Sequence, residues 1–463
     1  MPSAVHSTLP RNGITKLTNC RLLRGDALVW EDIWISSVTG KILSSQEAFY
    51  DALAMPDEAI DLGGRIVSPG FIECQLNGAY GFNFSTITDG NMETYGKQLR
   101  NLNKQLAQTG VTSYVPTVTS QTSHLYKKVL PYLGPSGSAR RSQDGAESLG
   151  AHVEGPFLNP KKNGVHNPAV LRAASAFSDL EDMYGASNLT PSPGGGPIPV
   201  KMITAAPEMG NMTALIPSLT SRGIIVSIGH SEATYEEASS AVSAGASMIT
   251  HLFNAMRPAH HRNPGIFGVL GVADADTDTP DVGKEISGSN GSNGATQKAR
   301  QRRNIKKTTR PYFGIIADGI HLHPTTIKIA WNAHPDGCIL VTDAMHMVGL
   351  PDGRYDWTNG EGEHYIVKEG HVLLLEGTDS IAGSSITLIE CVNNFLNWTG
   401  ATIPQALKAV TATPAAMLGV QAVKGYLDAG ADADLVVLSE ETTCEGRRSL
   451  VVDEVWKFGA RIF

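Results

Sequence analysis

Residues 70–78 read GFIECQLNG, an apolar run that ends in polar side chains. Alternate residues of a strand point the same way, so Glu73, Gln75 and Asn77 would share one side of it. Buried polar groups are costly unless they have a partner or a task. The stretch therefore predicts a strand with functional groups at its carboxyl end.

Further apolar runs of this kind follow along the chain. With residues 68–73 they make eight candidate strands, the others being 112–116, 149–154, 200–205, 224–229, 247–250, 312–317 and 338–342. Helical stretches lie between several of them, and one ends at Gly110, a favoured helix terminus. Eight alternating units predict an α/β fold built as a (β/α)8 TIM-like barrel.

The two ends of the chain differ from the middle, because both are rich in short strands separated by turn residues. Chain termini often lie close together, so we expect both ends to form one small β-sandwich. The predicted segments are 1–67 and 416–463 for the sandwich and 68–415 for the barrel. Residues 274–311 are polar, Gly/Ser-rich and then basic, which is typical of a disordered insertion.

Composition and charge argue against nucleic-acid binding and against membrane association. The 463 residues carry a formal net charge of -8, without the basic face that nucleic-acid binding needs. No apolar run is long enough to span a bilayer, so we expect no membrane association. The five cysteines are widely spaced and contain no CxxC pair, which favours reduced thiols and a cytoplasmic protein.

Four polar side chains follow predicted strands: Glu154, His230, His251 and Asp343. Taken singly, a histidine can serve a turn and an aspartate can cap a helix. In a barrel, however, the carboxyl ends of the strands converge on one face. One carboxylate and two imidazoles form a hydrolytic set for a divalent metal with a position open for water. Asp343 would then be the general base.

Several motifs carry a resemblance to a known family. They include HVEGPF at 152–157, GHSEAT at 229–234, THLFNAM at 250–256 and LVTDAM at 340–345. The sequence resembles the amidohydrolase superfamily and, within it, the deacetylases of N-acetylglucosamine 6-phosphate. The resemblance implies hydrolysis of the N-acetyl group to give glucosamine 6-phosphate and acetate, in amino-sugar catabolism. It also implies a barrel with a small β-sandwich from both chain ends.

The resemblance implies a mechanism as well. Glu154, His230 and His251 would bind one divalent ion per subunit, with Zn²⁺ favoured and Fe²⁺, Co²⁺ or Mn²⁺ as alternatives. Metal-bound hydroxide would attack the acetyl carbonyl. Asp343 would act first as general base toward the water and then as general acid toward the departing sugar amine.

A substrate shell is implied too. Its residues are Val165, His166, Asn254, Ala255, Arg262, His321, Ile381, Ala382 and Gly383. His166 would contact the sugar or the acetyl carbonyl, while Asn254, Ala255, Arg262 and His321 would hold the phosphate, Arg262 through its planar fork. Arg262 lies in a loop suited to reach a neighbouring subunit, and the resemblance implies a homodimer. Ala382 replaces a serine that is common in the family.

Gln75 and Asn77 occupy the place where two-metal relatives carry His-x-His. Neutral amides are weak ligands for a divalent transition metal, so the first metal position should be empty. Gln75 would hydrogen-bond the metal-bound water, and Asn77 would shape the sugar pocket. Glu73, where the family usually has Asp, would brace the site.

Two alternatives remain open. One is another amidohydrolase, a cyclic amidase of the dihydroorotase or hydantoinase kind, which would need the missing His-x-His. The other is a non-catalytic binding protein on the same fold, for which the insertion at 274–311 leaves room.

Overall fold

The computed structural model describes residues 12–46, 55–191, 194–271, 310–356, 365–378 and 380–463. Apart from its last two residues, the insertion predicted at 274–311 lies outside the described residues. Every helix in the described ranges is too short or too polar to cross a bilayer.

The described strands are numbered in chain order. They are β1 Ile14–Thr18, β2 Arg21–Arg24, β3 Ala27–Trp30, β4 Ile33–Ser36, β5 Lys41–Leu43, β6 Glu58–Asp61, β7 Ile66–Pro69, β8 Phe71–Leu76, β9 Gly78–Ala79, β10 Phe82–Asn83, β11 Val111–Val118, β12 Glu147–Ser148, β13 Ala151–Glu154, β14 Val200–Ala205, β15 Ile225–Ile228, β16 Met248–Ile249, β17 Tyr312–Ile316, β18 Cys338–Val341, β19 Gly353–Asp356, β20 Tyr365–Glu369, β21 Val372–Leu375, β22 Ile381–Ser384, β23 Leu435–Thr442, β24 Arg448–Lys457 and β25 Ala460–Arg461. The helices are α1 Met92–Ala107, α2 Ser123–Leu133, α3 Phe177–Tyr184, α4 Ala186–Leu189, α5 Met212–Thr220, α6 Tyr235–Ala244, α7 Pro324–Ala333, α8 Leu388–Thr399, α9 Ile403–Lys408 and α10 Ala412–Leu418.

Eight parallel strands form the barrel, in the order β8-β11-β13-β14-β15-β16-β17-β18. The barrel closes where β18 returns to β8, because the Asp343 amide donates to the Gln75 carbonyl at 2.9 Å. An isolated parallel bridge joins Leu76 to Ala344 at the same place. The predicted (β/α)8 architecture is therefore confirmed.

Local sequence explains how the barrel helices begin and pack. Asn91 caps α1 by accepting from the amides of Glu93 and Thr94. Thr234 and Glu237 form a reciprocal capping box at the start of α6. In α1, Tyr95, Leu99, Leu102 and Leu106 recur at helical spacing and are all buried against the strands.

The first predicted strand, 68–73, is wrong in its extent, because the chain changes sheet at Gly70. Residues Ile66–Pro69 pair with β23, whereas Phe71–Leu76 pair with β11 in the barrel. A side chain at Gly70 would place its Cβ 2.1 Å from the Thr112 hydroxyl oxygen, so only glycine fits this close crossing.

Both chain ends build the small β-domain. One sheet has the order β5-β4-β1-β6, and the other has the order β25-β24-β23-β7-β2-β3. Buried side chains fill the space between them, among them Leu17, Leu22, Ile35, Val67, Val437 and Trp456. A β-domain made from both ends is thus confirmed, while the boundaries at 67/68 and 415/416 stay a prediction.

A sheet of four strands, β19-β20-β21-β22, follows the last barrel strand and was not predicted. Buried Met345, Met347, Ile366, Leu373 and Ala382 form a small core beneath it. Its last strand brings Ile381 and Gly383 to the carboxyl end of the barrel.

A buried ionic cluster connects the β-domain to the barrel. Lys457 is fully buried, and its Nζ lies 2.6 Å from Glu147 Oε1, 2.8 Å from Asp434 Oδ2 and 2.9 Å from the Thr112 carbonyl. Lys424 contacts the same two carboxylates. Burial would raise the pKa of Asp434, but the two lysines hold it well below its usual range. Removing Lys457 would leave Lys424 as the one buried cation of the cluster facing both Glu147 and Asp434.

We expect Lys457→Met to lower the free energy of unfolding by about 3–5 kcal/mol, because it removes one cation from a buried ion cluster and leaves the carboxylates in place. The matched control is Lys408→Met, since Lys408 forms ion pairs with Asp26 and Asp336 that are exposed to solvent. Exposed pairs contribute about 0–1 kcal/mol. Chemical denaturation of both variants measures the difference, and equal losses would contradict the assigned role of the cluster.

Candidate active site

The carboxyl ends of the barrel strands bring the predicted metal ligands together. His251 Nε2 lies 3.0 Å from Glu154 Oε1, and His230 Nε2 lies 3.2 Å from the same oxygen. The two histidine Nε2 atoms are 3.1 Å apart. All three side chains are buried, so their ligand atoms converge on one point at the barrel mouth.

This spacing suits a divalent ion. A tetrahedral site with metal–ligand bonds of about 2.0–2.1 Å places neighbouring ligand atoms roughly 3.3–3.4 Å apart. The separations of 3.0–3.2 Å among the three atoms come within a few tenths of that value. A carboxylate and two imidazoles are also the donor types that zinc and related ions prefer.

Electrostatics at the site favour a cation. His230 Nδ1 lies 2.7 Å from the Lys162 carbonyl and donates to it, which leaves the Nε2 lone pair free for a metal. Burial would lower the pKa of His251, but the Glu154 carboxylate and Asp343 raise it to about 9.

Backbone conformation is unusual at the same positions. His230, His251 and Asp343 have φ values of 48°, 25° and 48°, in the left-handed region that non-glycine residues rarely adopt. Each follows its strand by two residues. Such strain persists only where the surroundings enforce it, and it clusters at functional sites.

Gln75 and Asn77 point their amide groups at the carboxylates. Gln75 Nε2 donates to Glu154 Oε1 at 3.1 Å and to Asp343 Oδ1 at 3.2 Å, and Asn77 Nδ2 donates to Asp343 Oδ1 at 2.8 Å. Burial and the nearby Glu154 charge raise the pKa of Asp343 to about 6. The carboxyl group is therefore held close to the balance between its proton-accepting and proton-donating forms.

Glu73 does not share a side with Gln75, so that expectation is wrong. The pairing of β8 with β11 shifts between Glu73 and Leu76, which is the signature of a β-bulge that re-aims side chains. Glu73 faces Leu106 and Leu388, between the barrel and its helices. Its carboxyl group accepts hydrogen bonds from the Gln75 amide at 2.9 Å and the Thr342 amide at 3.2 Å. Glu73 therefore braces the place where β18 meets β8 and the barrel closes.

A cavity of about 200 Å³ opens above the three candidate metal ligands Glu154, His230 and His251, which are called the metal set below. Most of the predicted substrate shell lines it, namely Val165, His166, Asn254, Ala255, His321, Ile381 and Gly383. Arg262 and Ala382 do not line it. Arg262 is exposed on its loop, and Ala382 packs into the core beneath the four-stranded sheet because alternate residues of β22 face opposite ways.

Two histidines of the shell are oriented by neighbours. The Ser120 amide donates to His166 Nδ1 at 3.1 Å, so the ring proton of a neutral His166 lies on Nε2. The Nε2 atom is 3.9 Å from Glu154 Oε2. His321 Nδ1 lies 2.6 Å from Asp318 Oδ2. Asp318 also accepts the Ile320 amide, so it braces this loop.

Sequence reasoning missed several supporting residues. Glu208 accepts from Asn159 Nδ2, the Ser231 hydroxyl and the Glu232 amide, and so joins the loops after β13 and β15. Thr119 and Met345 line the cavity. Glu208 lies three residues past β14, outside the strand-end pattern that revealed the metal set.

A polar layer lies directly below the metal set. His152 Nε2 is 2.7 Å from the Thr204 hydroxyl, which is 2.6 Å from the Thr250 hydroxyl. The Ser227 hydroxyl, on β15, extends this network and lies 2.5 Å from the Thr250 hydroxyl. These contacts fix the strands that carry Glu154, His230 and His251.

Comparisons with known proteins agree with this geometry. The amidohydrolase family model matches residues 66–460. An N-acetylglucosamine-6-phosphate deacetylase of Danio rerio is 38% identical over 96% of this chain and 97% of its own, and that of Homo sapiens is 38% identical over 92% of each chain. The deacetylase of Vibrio furnissii is 29% identical over 96% of this chain and 94% of its own.

Solved structures share the fold. The N-acetylglucosamine-6-phosphate deacetylase of Pasteurella multocida superposes with a TM-score of 0.72 at 24% identity, over 97% of this chain and 99% of its own. That of Mycobacterium smegmatis gives 0.71 at 24% identity, over 97% of this chain and 100% of its own. The chain belongs to the amidohydrolase family, among the N-acetylglucosamine-6-phosphate deacetylases.

Proposed function

We propose that this protein hydrolyses the N-acetyl group of N-acetyl-D-glucosamine 6-phosphate, giving D-glucosamine 6-phosphate and acetate in amino-sugar catabolism. The observation that carries the proposal is the convergence of Glu154, His230, His251 and Asp343 at one cavity. The relatives that share nearly the whole chain bear the name of this reaction.

We further propose one divalent ion per chain, with Zn²⁺ favoured over Fe²⁺, Co²⁺ and Mn²⁺, held by Glu154, His230 and His251. When bound, the ion acts as a Lewis acid that lowers the pKa of water and polarises a carbonyl group. The amides of Gln75 and Asn77 stand where a second metal would need ligands, and they donate hydrogen bonds to carboxylates instead. This supports a single ion.

Asp343 is the proposed proton carrier. Its Oδ1 already accepts from Gln75 and Asn77, so we assign proton transfer to Oδ2. The carboxylate takes a proton as water adds to the acetyl carbon and returns it to the amide nitrogen as the C–N bond breaks. A pKa of about 6 suits both directions.

His166 is proposed to bind the acetyl carbonyl oxygen. Burial lowers its pKa to about 3, so the ring is neutral at pH 7. With Nδ1 accepting from Ser120, the Nε2–H group is the one available to donate. A hydrogen bond to that oxygen strengthens as negative charge develops there.

The phosphate end is proposed to lie at Asn254, Ala255 and His321, beside the metal set. Arg262 is exposed and does not line the cavity of its own chain. We therefore propose that it completes the phosphate site of a partner subunit in a homodimer. A guanidinium group suits that task because it binds phosphate oxygens in a bidentate way.

A mixing experiment tests this arrangement. Arg262→Ala should raise the KM for the phosphorylated substrate at least about tenfold, since it removes a charge-assisted contact. Asp343→Asn homodimers should be inactive. Dimers re-formed from both variants contain one site with intact Asp343 and an intact Arg262 from the partner, so activity should return. No recovery in verified mixed dimers would place Arg262 in its own site.

The reaction itself is tested with metal-loaded protein, by following acetate release from N-acetylglucosamine 6-phosphate. Dihydroorotate and hydantoin serve as comparison substrates for the cyclic amidases. Acetate release without cleavage of those rings supports the proposal. Bound metal with no turnover of the acetylated sugar phosphate would contradict it.

The five unpaired cysteines fit a cytoplasmic location for this metabolism.

A further inference from the structure

We propose that Thr119 forms the wall of the acyl pocket and sets the size of the acyl group that the enzyme removes, an inference that rests on the proposed deacetylation. Thr119 lines the cavity together with His166 and Asn77.

The barrel order places Thr119 opposite the phosphate end. It follows β11, the second barrel strand, while Asn254 and Ala255 follow β16, the sixth. In a closed barrel of eight strands these two positions face each other across the mouth. The acetamido group on C2 and the phosphate on C6 leave the sugar ring in opposite directions. A phosphate at Asn254 therefore directs the acyl group toward Thr119.

Register places Thr119 beside the metal set. Thr117 pairs with His152 and Val118 with Val153, so Thr119 stands level with Glu154 on the neighbouring strand. The next residue, Ser120, orients His166. An acetyl carbonyl carbon held between the metal set and His166 would thus have its methyl group against Thr119.

The side chain of Thr119 is fixed in one orientation. Its hydroxyl donates to Ser85 Oγ at 3.0 Å, and its amide donates to the same oxygen at 2.9 Å. With the hydroxyl turned to Ser85, the methyl group of Thr119 is the part of the side chain that is left to face the cavity. Ser85 is itself buried, so the wall cannot retreat to admit a longer acyl chain.

This geometry permits a matched pair of variants. Thr119→Ser removes only the methyl group and keeps the hydroxyl for Ser85. Thr119→Val keeps the size of the side chain and removes the hydroxyl. In both, the backbone amide of residue 119 retains its bond to Ser85.

The experiment compares kcat/KM for N-acetyl- and N-propionyl-glucosamine 6-phosphate with metal-loaded protein. A pocket that discriminates by one methylene does so by roughly 10–200-fold, so Thr119→Ser should raise the propionyl-to-acetyl ratio at least about tenfold. Thr119→Val should leave the ratio close to that of the unmodified protein. An unchanged ratio in Thr119→Ser, or an equal rise in Thr119→Val, would overturn the assignment. Failure of the unmodified protein to release acetate would instead count against the proposed function.

Discussion

Asp343→Asn is expected to lower kcat on N-acetylglucosamine 6-phosphate by ~10²–10⁴-fold, the usual contribution of a general acid–base group. The Asp343 carboxyl group is proposed to serve both proton transfers, so an amide at the same place blocks both. The shape of the residue is preserved. An asparagine Oδ1 still accepts from Gln75 and Asn77, as Asp343 Oδ1 does.

Two measurements on the same sample distinguish catalysis from metal loss. Elemental analysis should find the same metal content in Asp343→Asn and in the unmodified protein, because the three proposed ligands are untouched. Steady-state kinetics should show that kcat falls with little change in KM. A kcat within tenfold of the unmodified value, with metal retained, would remove Asp343 from its assigned role.

Glu154→Gln is expected to abolish both metal binding and activity. Glu154 Oε1 is the atom that both histidines approach, at 3.0 and 3.2 Å. A neutral amide is a weak ligand for such ions. Outer-shell changes alone cost about 10–100-fold in metal affinity, so loss of a direct ligand should cost more than ~100-fold.

Glu73→Gln is the matched control for Glu154→Gln. Glu73 is an equally buried carboxyl group near the same end of the barrel, and burial raises its pKa to about 8. It braces backbone amides and faces away from the metal set. After dialysis, Glu73→Gln should keep its metal and Glu154→Gln should not. Full metal occupancy in Glu154→Gln would contradict the proposed ligand set.

Much of the barrel could be predicted because each of its strands is defined by a short, continuous stretch of sequence. Buried parallel strands appear as short apolar runs, and a polar residue at the end of such a run signals a function. This is why Glu154, His230, His251 and Asp343 were identified together. The left-handed backbone conformations of His230, His251 and Asp343 could not be predicted, since they depend on contacts between loops that follow different strands.

Other features escaped sequence reasoning for identifiable reasons. The bulge in β8 turns Glu73 outward, and the change of pairing at Gly70 depends on Thr112 of another strand. Lys457 was not singled out, although it is fully buried, because its partners come from distant parts of the chain. The placement of Ala382 away from the cavity follows from the pairing of a sheet that was not predicted.

The reaction proposed for this protein is hydrolysis of an N-acetylated sugar phosphate at a single metal ion. The most direct test titrates metal-free protein with Zn²⁺ and measures acetate release from N-acetylglucosamine 6-phosphate against bound metal. We expect the rate to rise in proportion to bound metal and to level off at one ion per chain. A plateau only at two ions per chain, or no acetate from fully loaded protein, would contradict it.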